Sequence, residues 1–445
     1  MINRTIGIDL AIRGDHVAQI YDNGQPVGRP IRFRHNPCSL DAFVARAISD
    51  IGPDDCVQAI MEPTGMSWFP VAHRLADVGV AVARVKGKRV KALRRYLSEH
   101  AKTDLADAHV LAAIPSFGGP RLDPVHIPAP KSHALQRLTK QRSRFQDAVA
   151  SAKRRLLDLV RWASPLLERV LPDFGTRLAM ALLQHWVDPE VVLKARRSTI
   201  ARFIALHASG NHPHSGAFVD ALIEGLRQAA REALALHRDH LDFTELQAEI
   251  CIEIDVMKVN MLARDQLTLK IEAIYCELQP EDVLRTIPGI GRHLAPVLLG
   301  VLHCADRFQS ERHIRGFCGL FPRRSDSGGT ERPGQKITQG GNDRIKRALM
   351  LAADAARKID PDLAEVYCKM MTHRSHHHKQ ALCAVANRLV SRIFHVLRTG
   401  KPYILRDRDG REISLAEAKA LITERYTVSE SIRATRRVNR VSIAA

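Results

Sequence analysis

The sequence predicts a mixed α/β domain at its N-terminal end and a mainly helical remainder. Short apolar runs separated by polar turns fill roughly residues 5–61, whereas apolar residues recur at three- and four-residue spacing over much of the chain after residue 130. The first pattern is typical of strands and the second of amphipathic helices. Because 445 residues exceed a single ordinary core, we expect two or three domains.

Five strands and four helices are predicted in the first 115 residues. The strands are expected at residues 5–11, 16–21, 31–34, 57–61 and 80–85. The helices are expected at 39–51 and 68–78, as a basic helix after residue 85, and at 103–114. The hydroxyls of Ser39 and Thr103 are expected to cap the first and last of these helices. Antiparallel strands followed by alternating helices and strands give the element order of a ribonuclease-H-like domain.

The remainder divides at changes in composition. The density of Pro and Gly from Pro115 to Pro130 predicts a linker. Residues 132–167 form a long basic amphipathic helix that pairs with another helix or lies along nucleic acid, unless it is a solvated helix of a helical core. The tail after Gly410 is expected to be mobile. The expected divisions are 1–120, a helical or coiled-coil region at 121–279, a mainly helical region at 280–405, and a basic tail at 406–445.

The charge of the chain predicts a polyanionic partner. Lys and Arg total 67 against 48 Asp and Glu, which leaves a net charge of +19. Positive surface speeds association with nucleic acid and releases phosphate counterions, although a merely soluble basic protein is the alternative. The basic residues are spread along the chain, which argues against a membrane surface. Eight cysteines without a Cys-x-x-Cys pair, the lack of a long apolar run and no evident leader predict a cytoplasmic location.

Four acidic residues are placed as a metal site requires. Asp9 closes the first strand, Glu62 follows the strand at 57–61, and Asp104 and Asp107 share one face at the start of a helix. If the sheet brings the four carboxylates together, their repulsion must be neutralised. Two Mg²⁺ ions would do so and would hold a scissile phosphate. The alternative is a local role for each acid, such as capping for Asp104 and turn formation for Asp9.

Three segments are predicted to contact phosphates. Pro288-Gly289-Ile290-Gly291, before an apolar helix at 294–302, resembles a helix-hairpin-helix element, with plain turn chemistry as the alternative. The loop from Gly319 to Arg344 combines glycines with arginines, and by composition alone its Ser325 and Ser327 are equal candidates for attack on phosphorus. The basic stretch 86–95 holds nucleic-acid backbone or is a solvated face. The predicted contacts are Lys86, Lys88, Arg89, Lys91, Arg94, Arg95, Gly289, Gly291, Arg323, Arg324, Arg332 and Arg344.

These motifs together resemble the DEDD-type insertion-sequence transposases, the bridge-RNA-guided serine recombinases. The resemblance covers roughly residues 3–160 and 280–405. The matching motifs are Gly-Ile-Asp at 7–9, Glu-Pro-Thr-Gly at 62–65, Lys-Thr-Asp-x-x-Asp-Ala at 102–108, Pro-Gly-x-Gly at 288–291, Gly-Leu-x-Pro-x₄-Ser-Gly at 319–328, Gly-Gly-Asn at 340–342 and Gly-Lys-Pro-Tyr at 400–403.

The resemblance implies a Holliday-junction-resolvase domain of the RuvC type and a C-terminal transposase domain. In the first, Asp9, Glu62, Asp104 and Asp107 bind Mg²⁺ and are catalytic. In the second, Ser327, which lies five residues after the proline of its motif, is the nucleophile that joins covalently to DNA. The implied partners are donor and target DNA, a structured non-coding guide RNA, and further copies of the chain as a dimer or a tetramer of two dimers, with active sites built from two protomers. A bacterial, nucleoid-associated location follows.

The predicted function is therefore that of a DNA transposase or site-specific recombinase. Two alternatives stand beside it. A metal-dependent structure-selective endonuclease of the Holliday-junction type would use the acids but not Ser327, so a covalent protein–DNA adduct separates it from the first reading. A non-catalytic nucleic-acid-binding protein, from an inactivated element, would show no Mg²⁺-dependent cleavage.

Overall fold

The structure, a computed structural model, divides into two compact units. They comprise Met1–Pro128 and Ala129–Ala445. The described residues are 1–97, 103–117, 122–207, 215–237, 240–323, 326–327, 330–331, 335, 337–338, 340–373 and 376–437. Ser325, Arg324 and Arg332 lie outside them, as does most of the predicted break at 208–216.

A five-stranded sheet forms the centre of the first unit. Its strands are β1 (Asn3–Asp9), β2 (His16–Asp22), β3 (Gln25–Phe33), β4 (Cys56–Met61) and β5 (Ala81–Arg84). Their spatial order is β3-β2-β1-β4-β5. Strand β2 is antiparallel to β1 and β3, while β1, β4 and β5 run parallel. The prediction of a mixed α/β domain is confirmed, including the number and sequence of the strands.

Four helices pack with this sheet. They are α1 (Pro37–Ala47), α2 (Trp68–Asp77), α3 (Gly87–Leu97) and α4 (Asp104–Ala113), followed by a 3₁₀ helix (Ile114–Phe117). Thr103 caps α4 as predicted, since its hydroxyl accepts the N–H of Ala106 at 3.1 Å. The predicted cap of α1 is wrong: the Asn36 side chain accepts the Ser39 N–H, and the Ser39 hydroxyl instead accepts the N–H of Arg34.

The segment predicted to be a linker belongs in part to the first unit. The Val125 N–H donates to the Val82 carbonyl at 2.6 Å, and Pro124 forms an antiparallel bridge with Ala83 on β5. Ile127 packs against the buried core of the sheet. Among the described residues of that segment, 122–129 lie outside the helices and strands, and Pro124 and Val125 follow the sheet edge, where β5 still has backbone groups to satisfy.

Two long helices run antiparallel through the second unit. They are α5 (Pro130–Ala163) and α11 (Phe243–Leu278). Lys131 pairs with Glu277 near one end, and Arg155 pairs with Glu253 near the other. Between them in the chain come α6 (Leu167–Val170), α7 (Arg177–His185), α8 (Pro189–Lys194), α9 (Arg197–His207) and α10 (Gly216–His237). These shorter helices share a buried core with the C-terminal half of α5 and the N-terminal half of α11.

A second helical core contains the remaining elements. After a 3₁₀ helix (Val283–Thr286) come α12 (Leu294–Leu302), α13 (Glu311–Cys318), β6 (Asp326–Ser327), β7 (Thr330–Glu331), α14 (Asp343–Ala356), α15 (Pro361–Thr372) and α16 (His378–Thr399). The helix predicted at 294–302 is confirmed to the residue. This core also includes Leu135 of α5 and Ile271 of α11.

The expected mobile tail is wrong for the residues up to 437. They contain α17 (Leu415–Arg425) and α18 (Glu430–Arg437), which pack with α15. Ser414 and Glu417 form a reciprocal capping box at the start of α17. Ala418 and Val428 are buried, and Val428 joins the C-terminal core. The basic residues of this segment suggest a solvated tail, but these two apolar side chains attach it to the C-terminal core and to α15.

Candidate active site

The strand ends of the first unit bring Asp9 and Glu62 side by side. In the parallel pairing of β1 with β4, Ile8 lies opposite Met61, and the two acids are the next residues along each chain. Parallel neighbours end at the same edge of a sheet, so both carboxylates lie at that edge. Both residues are partly buried.

Helix α4 reaches this edge because Gly7 has no side chain. A Cβ on Gly7 would lie 2.1 Å from the Ala108 carbonyl oxygen and 2.3 Å from the Ala112 nitrogen. Side chains two residues apart on a strand share a face, so Asp9 projects on the side that α4 covers. Asp104 and Asp107 lie in the first turn of that helix. The close contact at Gly7 therefore sets the distance between the helix acids and Asp9.

The electrostatics of Asp9 show that the four acids converge. The pKa of Asp9 is raised from 3.8 to about 6, most of all by burial and then by the charges of Asp107, Asp104 and Glu62 in that order. Like charges so close disfavour the ionised form of their neighbour. The structure thus brings together all four acids that the sequence singled out. The repulsion among them is the kind that a bound cation relieves.

Helix α3 supplies two contacts to this acidic cluster, by which we mean Asp9, Glu62, Asp104 and Asp107. The Arg94 Nη1 donates to both carboxylate oxygens of Asp107, at 2.7 and 2.9 Å. The two side chains are only 17% and 14% exposed. At the other end of α3, a Cβ on Gly87 would lie 2.3 Å from the Glu62 Oε1. The contact of Gly87 was not predicted. For Arg94 the sequence predicts a contact with nucleic acid, whereas the structure pairs it with Asp107.

The oxygen donors of the cluster suit a hard divalent cation, which prefers carboxylates. As the side chains stand, however, no three His, Cys, Asp or Glu residues within the described ranges are grouped so as to hold a metal ion. The Asp107 oxygens also accept hydrogen bonds from Arg94. A metal held by the cluster would therefore require the carboxylates to move closer together and Asp107 to leave Arg94.

The loop after Asp9 is held from two sides. The His16 Nδ1 accepts the N–H of Ala11 at 3.0 Å, and the Ser67 hydroxyl donates to the Ala11 carbonyl at 3.2 Å. His16 is fully buried, and burial lowers its pKa, which favours the neutral ring that accepts this bond. Ser67 follows the Glu-Pro-Thr-Gly segment, so these bonds join the loops that carry Asp9 and Glu62. The signal in the sequence was a histidine at the start of a strand, which is too common to single out.

The basic stretch of α3 faces outward apart from Arg94. Its predicted contacts Lys86, Lys88, Arg89, Lys91 and Arg95 are exposed, whereas Val90 is buried and anchors the helix. Tyr96 follows at 79% exposure and lies edge-on to Phe117. An exposed aromatic ring beside cations can stack on a nucleobase. The sequence signal for Tyr96 was its position directly after two arginines, and it was missed.

In the second unit, the two glycines of the predicted helix-hairpin-helix turn differ in their surroundings. Gly289 has a φ of +82°, and a Cβ on it would lie 2.3 Å from the Ala352 carbonyl oxygen. Gly291 has no such neighbour within 4 Å. The turn lines an open cavity of about 710 Å³ with Arg285 and Tyr403. Gly289 thus serves packing against α14, and Gly291 is the one that leaves backbone accessible.

The loop that carries Ser327 has a hairpin at its base. Pro322 bridges Ile337, and the Thr338 N–H donates to the Phe321 carbonyl at 3.0 Å. The Lys346 Nζ of α14 donates to the Thr338 carbonyl at 2.9 Å and so ties the returning arm to the helix. Further out, β6 and β7 pair with Ser327 opposite Thr330. The backbone of Ser327 therefore lies in a short antiparallel strand pair.

The arginines predicted around this loop have different surroundings. Arg323 is exposed. Arg344 turns inward to α5, where its Nη2 donates to the Thr139 hydroxyl at 2.6 Å and its Nη1 to the Gln136 carbonyl at 3.3 Å. Burial lowers the pKa of Arg344. The guanidinium of Arg344 therefore binds acceptors within the chain, in place of the predicted phosphate.

Comparison with known proteins gives two family matches. A DEDD-type model described as a transposase matches residues 6–165, and a model described as the transposase IS116/IS110/IS902 family matches residues 281–368. The first range contains the acidic cluster, and the second contains the Pro-Gly-x-Gly turn at 288–291 and Ser327. Across the described residues, no helix has the length and apolar character needed to cross a membrane.

Curated relatives agree with these matches. The insertion element IS110 uncharacterized 43.6 kDa protein of Streptomyces coelicolor is 26% identical over 357 residues, which is 79% of this chain and 84% of that protein. The pilin gene-inverting proteins of Moraxella lacunata and Moraxella bovis are 29% and 28% identical over 122 residues. Those matches span 27% of this chain and 38% of each Moraxella protein.

Proposed function

We propose that this chain, which belongs to the IS110 family of transposases, cuts and rejoins DNA through a covalent serine intermediate, with Mg²⁺ held by the acidic cluster. One observation carries the proposal: three carboxylates from two other parts of the sequence lie close enough to Asp9 that their charges, added to its burial, raise its pKa to about 6. A fold that accepts such repulsion without a ligand loses stability, so the arrangement is best explained by a bound cation.

The acids are proposed to hold metal through Asp9, Glu62, Asp104 and Asp107. Divalent ions bound there would supply positive charge that stabilises a phosphoryl group during displacement. The chain itself fixes the donors. The Gly7 contact places α4, and the bonds from His16 and Ser67 to Ala11 hold the loop after Asp9. Such preorganisation reduces the movement that the carboxylates must make when DNA binds.

Ser327 is proposed as the nucleophile. Its hydroxyl loses a proton as the bond from its Oγ to phosphorus forms, while the bond from phosphorus to a deoxyribose oxygen breaks and that oxygen leaves with a proton. Attack by another deoxyribose hydroxyl reverses these changes and reseals the strand. Each step exchanges one phosphodiester for another, so rejoining needs no ATP. In the sequence a glycine follows the serine directly, and a residue without a side chain lets a phosphate approach closely.

The nucleic-acid surface is proposed to include the exposed cations of α3, the backbone at Gly291, and Arg323. The chain has a net charge of +19, which suits DNA and also a structured guide RNA. A guide RNA would account for target choice, since pairing can read sequence while the protein reads shape. The relatives named for pilin gene inversion support rearrangement with rejoining, rather than cleavage alone.

The test is covalent capture of DNA. Full-length protein is incubated with Mg²⁺, its guide transcript and end-labelled DNA, and adducts are separated on a denaturing gel. Ser327→Ala should lose the adduct, whereas the matched control Ser325→Ala should retain it. An adduct that persists in Ser327→Ala, or that is lost only in Ser325→Ala, rejects Ser327 as the nucleophile.

One observation favours a second candidate function. The acidic cluster lies entirely within the first unit, so metal-dependent hydrolysis of branched DNA would need no group from the second. A chain of this kind would cut a four-way junction with Mg²⁺, form no adduct, and be indifferent to Ser327→Ala. The same gel therefore separates the two functions.

A further inference from the structure

Helix α3 lies along the acidic cluster and contacts it at both ends. Its first residue, Gly87, lies against the Glu62 carboxylate, and Arg94 binds Asp107. Seven residues separate these contacts, which is two turns of helix or about 10 Å. Buried Val90, halfway between them, fixes the helix on the core of the first unit. The helix thus has one attachment by packing and one by an ion pair.

The charges of α3 point in two directions. From Lys86 to Leu97 the chain has no acidic residue. Five of the six cations in this stretch are exposed, whereas Arg94 is directed at Asp107. A phosphate bound by the exposed cations of α3 therefore lies on the same helix as Arg94, the residue that binds Asp107. Guanidinium groups bind both phosphate and carboxylate, so a phosphate can replace Asp107 as the partner of Arg94.

Arg94 and a metal ion compete for the same two oxygens. Both Asp107 oxygens accept hydrogen bonds from the Arg94 Nη1. A hard cation needs those lone pairs, and it also meets the positive charge of the guanidinium nearby. The arrangement in which Arg94 holds Asp107 is therefore one with reduced affinity for metal.

We propose that Arg94 is a latch on metal loading: it holds Asp107 until a nucleic-acid phosphate takes its guanidinium, and Asp107 then becomes available to the divalent ion. The inference rests on the proposed metal role of the acidic cluster and adds its regulation. The latch keeps the cluster weakly loaded until a polyanion is bound. By thermodynamic linkage, metal must in turn tighten nucleic-acid binding by the same factor, which for such couplings is typically about 10-fold.

The first measurement is Mg²⁺ binding to the full-length chain without nucleic acid, by isothermal titration calorimetry. Arg94→Gln should bind Mg²⁺ about 10-fold more tightly than the wild type, because the competing cation is gone. Arg95→Gln, the matched control, removes the same charge from the next, exposed position and should leave Mg²⁺ affinity unchanged. Arg94→Lys keeps the positive charge on a different donor group and should lie between, so the series remains informative if one variant folds poorly.

The second measurement is nucleic-acid affinity by fluorescence anisotropy, with and without Mg²⁺. The wild type and Arg95→Gln should both bind more tightly with Mg²⁺, and Arg94→Gln should lose this dependence. A four-way DNA junction and an RNA hairpin are used as separate probes, and the one whose affinity responds to Mg²⁺ is the polyanion that releases Arg94. If neither responds in the wild type, the latch is rejected.

The outcomes separate the latch from the proposed function. If Asp9→Asn abolishes Mg²⁺ binding but Arg94→Gln binds Mg²⁺ no better than the wild type, the metal site stands and the latch is rejected. If Asp9→Asn binds Mg²⁺ as the wild type does, the acidic cluster is not the metal site, and the proposed function loses its metal together with the latch.

Discussion

Each unit of this chain contains a glycine whose Cα packs against a turn of helix. At Gly7 a Cβ would lie 2.1 and 2.3 Å from backbone atoms of Ala108 and Ala112 in α4. At Gly289 a Cβ would lie 2.3 and 2.9 Å from the corresponding atoms of Ala352 and Ala356 in α14. In both places a carbonyl oxygen and the nitrogen four residues later line the contact. The same kind of packing therefore occurs beside the acidic cluster and beside the turn at 288–291.

The two contacts differ in what they position. The helix against Gly7 carries Asp104 and Asp107, so a change there moves charged groups relative to Asp9. The helix against Gly289 carries no acid of the cluster, and the positive φ of Gly289 adds a second reason for glycine. The first contact fixes chemistry and the second fixes the shape of a turn. We expect substitutions at Gly7 to affect catalysis most and those at Gly289 to affect stability most.

The largest effect on DNA cleavage should come from removing the charge of Asp9, against which the Gly7 contact places α4. Asp9→Asn should reduce DNA cleavage about 10³-fold, because loss of a bound metal removes several kcal/mol of transition-state stabilisation. The measurement is the cleavage rate of labelled DNA at saturating protein. Asp15→Asn, in the exposed loop that follows, makes the same substitution outside the cluster and should cleave as the wild type does. Equal rates for Asp9→Asn and the wild type would remove Asp9 from the active site.

Gly7→Ala should have the next largest effect. The added methyl must push α4 from β1, and a displacement of about 1 Å at a reacting centre costs roughly 100-fold in rate. The overpacking should also lower the free energy of unfolding by about 1–3 kcal/mol. Gly14→Ala is the control, since its nearest neighbour would be 3.8 Å away. Cleavage rates and urea unfolding measure both effects. Normal rates in Gly7→Ala would mean that α4 need not lie this close.

At the other contact, Gly289→Ala should destabilise more than Gly291→Ala. The first introduces a clash with α14 and a strained φ, together about 2–4 kcal/mol. The second has free space around it and should change stability by less than about 0.5 kcal/mol. Gly291→Ala should instead weaken DNA binding, if the backbone there approaches phosphate. Urea unfolding and DNA titration of both variants test this division, and equal stability losses would contradict it.

The first unit followed from the sequence more completely than the second. Asp9 and Glu62 each follow a run of apolar residues. The end of such a run predicts the end of a buried strand, so the positions of both acids could be predicted. Thr103 was readable as a cap, and the helix at 294–302 as an unbroken apolar stretch. Asn36 was missed because Ser39, three residues on, has the same capping chemistry, and only the backbone conformation distinguishes the two.

The contacts that matter most to the site were not readable. Arg94 and Asp107 are separated by a segment whose path no periodicity specifies, so their pairing depends on tertiary packing of α3 on α4. The inward turn of Arg344 is similar, since its partners in α5 lie more than 200 residues away in the chain. A basic residue in a sequence predicts charge, but not whether that charge faces a phosphate or an internal acceptor. Distances of this kind came only from the structure.

The smallest expected effect is the pH dependence of stability that the repulsion at Asp9 causes. Since the pKa of Asp9 in the folded chain is about 6 and that of a free aspartate is 3.8, the folded chain binds a proton more readily between these values. Metal-free stability should therefore rise as pH falls from about 6 to about 4, and it carries the full cost of the ionised group above pH 6. At pH 8 the free energy of unfolding of Asp9→Asn, measured in urea, should exceed that of the wild type by about 1 kcal/mol after allowance for solvent screening. The difference should shrink towards pH 4. Mg²⁺ should reverse the order at pH 8 by stabilising only the wild type, and a variant less stable than the wild type at pH 8 without metal would show that Asp9 is not under repulsion.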